Sequence, residues 1–172
     1  MPFGNTGGST GGATTPVTFA LTEQLQAAAA FDIDLASLAP SASGVGVQSA
    51  MISNAGNRPA ALVFLSVQFA AAPTAGTIVD VYLLQGETTS TNTTDGASAA
   101  KGARTRVNAA RIGSLTIQSG TGPVSAWFDT AALNTVLGPA WGILVVNRTN
   151  QNLHATEANH VKRYIYHNKQ AA

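Results

Sequence analysis

Leu65-Ser66-Val67-Gln68-Phe69-Ala70-Ala71-Ala72-Pro73-Thr74-Ala75-Gly76-Thr77-Ile78-Val79-Asp80-Val81-Tyr82-Leu83-Leu84 is written in a period of two. Val63, Leu65, Val67 and Phe69 fall on one face of an extended chain, with Ser66 and Gln68 on the other. Val79, Val81 and Leu83 repeat the pattern with Asp80 facing outward, and Pro73-Thr74-Ala75-Gly76 between the runs is turn chemistry. Strict alternation of this kind marks half-buried strands rather than a helix, whose apolar positions recur every three to four residues. Two such runs around a Gly-containing connection predict a hairpin.

The same period continues outward from this stretch. Strands are predicted at Ile112 to Gln118, Val124 to Phe128, Ile143 to Asn147 and Val161 to His167, each bounded by Gly, Pro or Asn clusters. Ser119-Gly120-Thr121-Gly122-Pro123 and Asn147-Arg148-Thr149-Asn150 are examples of such boundaries. Seven or eight short strands without a sustained helical period predict an all-β domain, an antiparallel β-sandwich of jelly-roll-like type.

Two regions depart from the rhythm. Residues 1–30 open with Gly7-Gly8-Ser9-Thr10-Gly11-Gly12 and read as an extended N-terminal arm and linker, leaving 31–172 for the sandwich domain. Within the arm, Val17, Phe19 and Leu21 share a face, and Thr22 to Gln26 is ambiguous between helix and strand. Residues 86–110 offer little to bury and read as a long polar loop, of a length that is usually functional or solvated. Both readings of that loop stay open: a solvated segment, or a contact loop for a neighbouring subunit through Arg104, Arg106 and the adjoining Arg111. Phe3 and Phe19 are the candidate apolar anchors on the arm.

Composition narrows the function classes. With 172 residues the chain fits one domain. Charged residues are 10% against an ordinary ~25%, and nine Lys and Arg against eight Asp and Glu leave a net charge of +1. That balance does not suit a dedicated nucleic-acid binder, which carries a basic stripe. Hydrophobic residues at 45% do not suit a wholly disordered chain. A surface solubilised by Thr, Ser, Asn and Gln is cheap to desolvate, which favours burial against other subunits. No cysteine is present, so disulfides and thiolate sites are ruled out. The apolar run from Ala60 to Val67 is too short to span a bilayer, and the first residues lack the basic and apolar regions of a secretory leader.

Chemistry finds little purchase. His154, Glu157 and His160 do not match a zinc-binding spacing, and His167 stands apart. Asp32 and Asp34 share one face, as the solvent side of a strand does. Nucleophile-elbow and phosphate-loop patterns are missing, so no enzyme, cofactor or metal is expected. Asn92-Thr93-Thr94 and Asn147-Arg148-Thr149 match the glycosylation pattern, which without a secretion signal reads as coincidence. In the last strand Lys162, Tyr164 and Tyr166 alternate with Arg163, Ile165 and His167, a pattern expected of a terminal edge strand rather than a stacking surface for single-stranded nucleic acid. Trp127 and Trp141 lie within apolar runs and are expected in the core.

The strand–Ala-Pro-Thr-Ala-Gly–strand unit around Pro73 resembles one found in small structural proteins of tailed bacteriophages. Trp141-Gly142-Ile143-Leu144-Val145-Val146-Asn147-Arg148-Thr149 resembles that family's penultimate strand and turn, and Val161-Lys162-Arg163-Tyr164 its closing strand. The resemblance runs from about residue 47 to 167, and departs at 86–110, where only Asp95-Gly96 matches the family's short turn. It implies a virion β-sandwich, foremost a head decoration or cement protein. Such a protein sits on the outer capsid surface as a homo-oligomer, often a trimer, bound to the major capsid protein, with no nucleic-acid or membrane partner. A tail adaptor or fibre-base protein is the alternative, and a carbohydrate- or receptor-binding jelly-roll module the second.

Overall fold

The computed structural model describes residues 27–89, 101–105 and 109–167. Phe3, Phe19 and Arg106 lie outside the described residues, as do Asn92 and most of the predicted arm. Ten strands run β1 Ala29–Ala30, β2 Val45–Gln48, β3 Ile52–Ser53, β4 Ala60–Val67, β5 Ile78–Gly86, β6 Gly102–Thr105, β7 Ala110–Thr116, β8 Val124–Asp129, β9 Ala140–Asn147 and β10 Val161–His167. Short 3₁₀ turns at Thr130–Leu133 and Glu157–Asn159 are the only helical elements among the described residues. The chain is all-β, and its strands form two antiparallel sheets in a β-sandwich arrangement.

The first sheet has the order β1-β10-β4-β8; the second has β6-β2-β9-β5-β7, with β3 pairing separately with β9. Alternation dictates what lies between them. Ala61, Val63, Leu65, Val67 and Phe128 of the first sheet meet Val79, Val81, Leu83, Leu115, Trp141, Ile143 and Val145 from the second, with Ile117 just past β7, all buried. Phe31, Ile33 and Leu35 also enter this core, with Asp32 and Asp34 pointing out between them. Phe31, Trp141, Tyr164 and Tyr166 make a chain of edge-on and tilted ring contacts, and Trp141 Nε1 donates to Tyr166 Oη at 2.9 Å.

The central pair of runs is not a hairpin. β4 pairs with β8 and β10, and β5 pairs with β7 and β9, so residues 68–77 carry the chain from one sheet to the other. Both runs present a full apolar face, and crossing between layers lets those faces bury each other. A hairpin would leave them side by side on one layer. The ten-residue connection also exceeds the two to five residues of ordinary hairpin loops. Gly76, at φ 83°, supplies the left-handed residue of the turn, and its N–H donates to the Ile117 carbonyl at 2.9 Å.

The arch is not an isolated case. Among the described strands, no two that follow each other in sequence are neighbours in a sheet. The interval 86–110 also differs from a plain loop, because Gly102–Thr105 pairs with Val45–Gln48 as an edge strand. Gly-Ala-Arg-Thr has almost no apolar content, so its alternation leaves no hydrophobic signal in the sequence. At the other end, Ala29 and Ala30 pair with Tyr164 and Arg163, so the ordered ladder begins two residues before 31. The same pairing makes β10 an interior strand over those two residues, where a terminal edge was expected.

Candidate functional site

Two outward surfaces carry side chains of interest, one on each sheet. On the first sheet the register sets Arg163, Phe64 and Trp127 in one cross-strand row, with Ile165, Leu62 and Asp129 in the next. Directly opposed residues share a face, and these alternate with the buried Val63, Leu65 and Phe128, so both rows face away from the core. Trp127 is 53% exposed, which corrects its expected place in the core; only Trp141 is buried. The misreading has a simple cause. Trp127-Phe128 offers two adjacent aromatics, and alternation admits only one of them inside.

The Phe64 and Trp127 rings lie 4.8 Å apart at 46° to each other. Leu62, Phe64 and Ile165 remain partly open beside them, while Arg163 is exposed and is followed in its row by Ala30 of β1. His167 Nε2 and Asp129 Oδ1, 3.0 Å apart, close the other side. The result is an uncharged apolar strip with polar groups at its rim.

On the second sheet the outward face centres on Asp80, whose side chain is only 4% exposed. Ser114 Oγ donates to Oδ1 at 2.7 Å and Arg111 Nη1 to the same oxygen at 3.3 Å. Tyr82 Oη and Arg148 Nε donate to Oδ2 at 3.1 and 2.9 Å. Burial alone raises a carboxyl's pKa, yet these hydrogen bonds outweigh it and hold Asp80 below the usual carboxylate range. A β-bulge makes the arrangement possible. The β5–β7 register shifts between Val81 and Tyr82, so Gly113 opposes Val81 while Arg111 opposes Tyr82. Residues 111 and 114 differ by an odd number and belong on opposite faces of a regular strand; the extra residue turns both toward Asp80.

The predicted contact arginines therefore do not form one cluster. Arg111 is tied to Asp80 and Ser114 at the edge strand β7. Arg104 sits opposite Gly46 on β6, at the other edge of the same sheet. Its row continues through Gly46, Val146, Asp80 and Ser114, so the two arginines share a face without meeting. Gly46 is required there because a Cβ would stand 2.2 Å from the Val145 carbonyl oxygen. Beyond it lies a second buried cluster, Met51, Tyr82, Leu84, Leu144 and Val146, with Ala109 packed on it.

His154 and His160 are engaged in local hydrogen bonds. Thr156 N and the Asn159 amide engage His154 Nδ1, and His160 Nε2 lies 3.0 Å from the His154 carbonyl. Glu157 accepts from Leu35 N at 2.8 Å and pairs with Lys162. No cluster of three metal-ligating side chains occurs among the described residues. Asn147 of the second glycosylation pattern is fully buried, its amide donating to the Leu38 and Gln151 carbonyls. A cleft of about 510 Å³ at Pro40, Ser41, Ala42 and Arg148 has its guanidinium committed to Asp80 and the Ala42 carbonyl.

No protein-family model, curated protein or solved structure matches the chain. Of the two surfaces, the Asp80 network satisfies itself, whereas the Phe64–Trp127 strip leaves apolar area open to water.

Proposed function

We propose that this protein is a bacteriophage virion structural protein, a capsid decoration (cement) protein that binds the outer head surface as a homo-oligomer. The observation that carries the proposal is the exposed Trp127 paired with Phe64 on an outward sheet face. Exposed aromatic area with a polar rim is what protein interfaces bury at their centres. The resemblance of the 65–84, 141–149 and 161–164 segments to phage structural proteins supplies the setting. A surface poor in charge supports it further, since it desolvates cheaply against a shell. The mechanism is mechanical: a bound bridge between capsid subunits stabilises the assembled lattice by mass action.

The test is the copy number of this chain relative to the major capsid protein, by quantitative mass spectrometry of purified virions. A ratio near one supports decoration of the head lattice. A ratio far below one moves the protein to the tail, as an adaptor or fibre-base component, and absence from virions rejects the reading. The exposure of Trp127 also favours a second reading, a carbohydrate-binding platform, because sugars stack on open indole rings. Glycan-array binding that disappears in Trp127→Ala, with folding intact, decides for it.

A further inference from the structure

β7 is an edge of the second sheet and β8 an edge of the first, and residues 117–123 carry the chain between them. The crook of that connection holds a cleft of about 490 Å³, within the roughly 300–1,000 Å³ usual for small-molecule sites. Thr116 from β7, Gln118 and Ser119 from the connection and Ser125 from β8 are its polar lining, and no charged residue borders it.

Hydroxyls that serve the fold are engaged by it. Ser49 Oγ accepts from Ile143 N, Ser114 Oγ donates to Asp80, and Thr149 Oγ1 donates to the Gln151 carbonyl. The side chains of Thr116, Gln118, Ser119 and Ser125 make no hydrogen bond among the described residues, yet all four border one cleft. Two glycines border it as well. Gly120, at φ 140°, has a backbone that L side chains rarely adopt, and a Cβ on Gly122 would meet no atom within 4 Å. Ser125 and Trp127 share the outward face of β8, two residues or about 7 Å apart, so the exposed indole lies next along the strand from the cleft wall.

We propose that the cleft and the Trp127 indole form one binding site for a neutral saccharide. This rests on the second reading above, the sugar platform, and gives it a ligand class and a second wall. An ionic ligand finds no counter-charge in the cleft. A purely apolar ligand would leave three hydroxyls and an amide without partners as it displaced their water. Hydroxyl and amide side chains both donate and accept, which is what the hydroxyls of a sugar ring require. The C–H face of a pyranose packs on an open indole, as apolar groups do on aromatic rings. In a chain of sugars, one ring covers Trp127 while its neighbour turns hydroxyls toward Gln118 and Ser125.

The test presents the purified full chain with arrayed oligosaccharides of two kinds: uncharged hexoses and N-acetylhexosamines, and chains carrying uronic or sialic acids. The strongest binder is then titrated against the parent and three variants, each first checked for an unchanged unfolding midpoint. Gln118→Ala removes a polar partner at an exposed position and is expected to weaken binding about three- to tenfold. Gly122→Leu places a side chain where there is open space and is expected to weaken it at least about tenfold. Trp127→Ala is expected to abolish it. Binding of uncharged chains with all three losses supports the proposal. Binding lost in Trp127→Ala but unchanged in Gln118→Ala and Gly122→Leu overturns the cleft's part and leaves the platform reading standing. Binding of acidic chains alone overturns the neutral class, and an array with no binder overturns the platform reading and the proposal with it. None of these outcomes bears on copy number in virions.

Discussion

The ring of Phe128 occupies the space in which Gly113 lacks a side chain. A Cβ built on Gly113 would stand 2.3 Å from Phe128 Cδ1 and 2.7 Å from Cε1. This contact joins the edge strands of the two sheets, so the gap between β7 and β8 is closed by one ring against one backbone.

Gly113→Ala is therefore expected to destabilise the fold by about 1–3 kcal/mol, the usual cost of forcing a methyl into a packed site. Urea unfolding followed by circular dichroism measures it. A midpoint unchanged from the parent shows that Phe128 swings aside without cost.

Asp80 gives a prediction about pH. Its folded pKa is depressed, so its contribution is fully present above the unfolded value, about 3.9, and is lost as pH falls through the folded value. Asp80→Asn is expected to lower stability by roughly 1.5–3 kcal/mol at neutral pH, since the charge-assisted bonds weaken. The gap between parent and variant should narrow on acidification below about pH 4. Unfolding midpoints at a series of pH values check it; a constant gap means that the loss is one of packing.

The two tryptophans should separate cleanly. Trp141→Ala is expected to cost about 3–5 kcal/mol, as aromatic truncations in cores do. Trp127→Ala should change stability by less than about 1 kcal/mol, because the ring is already half in water. Trp127→Phe leaves Trp141 as the sole tryptophan, and its emission should be shifted to the blue of the parent's. Emission that stays at the parent's wavelength contradicts the buried assignment.

Tyr166→Phe removes the acceptor of the Trp141 indole N–H and a donor to the Ser53 carbonyl. The expected loss is about 1 kcal/mol, with the tryptophan emission shifted. Thermal unfolding together with fluorescence distinguishes this from a purely steric change at the ring.

How much of this was legible in the sequence follows from what period two encodes. It names which side chains go inward, and Val63, Leu65, Val67, Val79, Val81 and Leu83 are all buried. It does not name the partner strand, which is why an arch between layers passed for a hairpin. Trp127 and Phe128 show a second limit, since two adjacent aromatics are equally apolar and only the register chooses between them. The Asp80 network was beyond reach for another reason. Arg111, Ser114 and Arg148 converge through a bulge and through strands distant in sequence, and neither leaves a local pattern. Only Asp80 itself, a carboxylate between Val79 and Val81, hinted that its face carried something polar.

The connectivity has a consequence for how the molecule is made. β4 waits for β8 and β10, and β5 waits for β7 and β9, so among the described strands a nascent chain leaving the ribosome has no sequence-adjacent pair to zip together. Domains dominated by such distant pairings fold in milliseconds to seconds rather than microseconds. The first sheet is completed only when Val161–His167 has emerged, and until then Leu62, Val63, Phe64 and Leu65 lack their partner on one side. Loss of Val161–His167 would therefore leave Ala60–Val67 without its neighbour on that side. The first layer closes only after its last strand, Val161–His167, has been made.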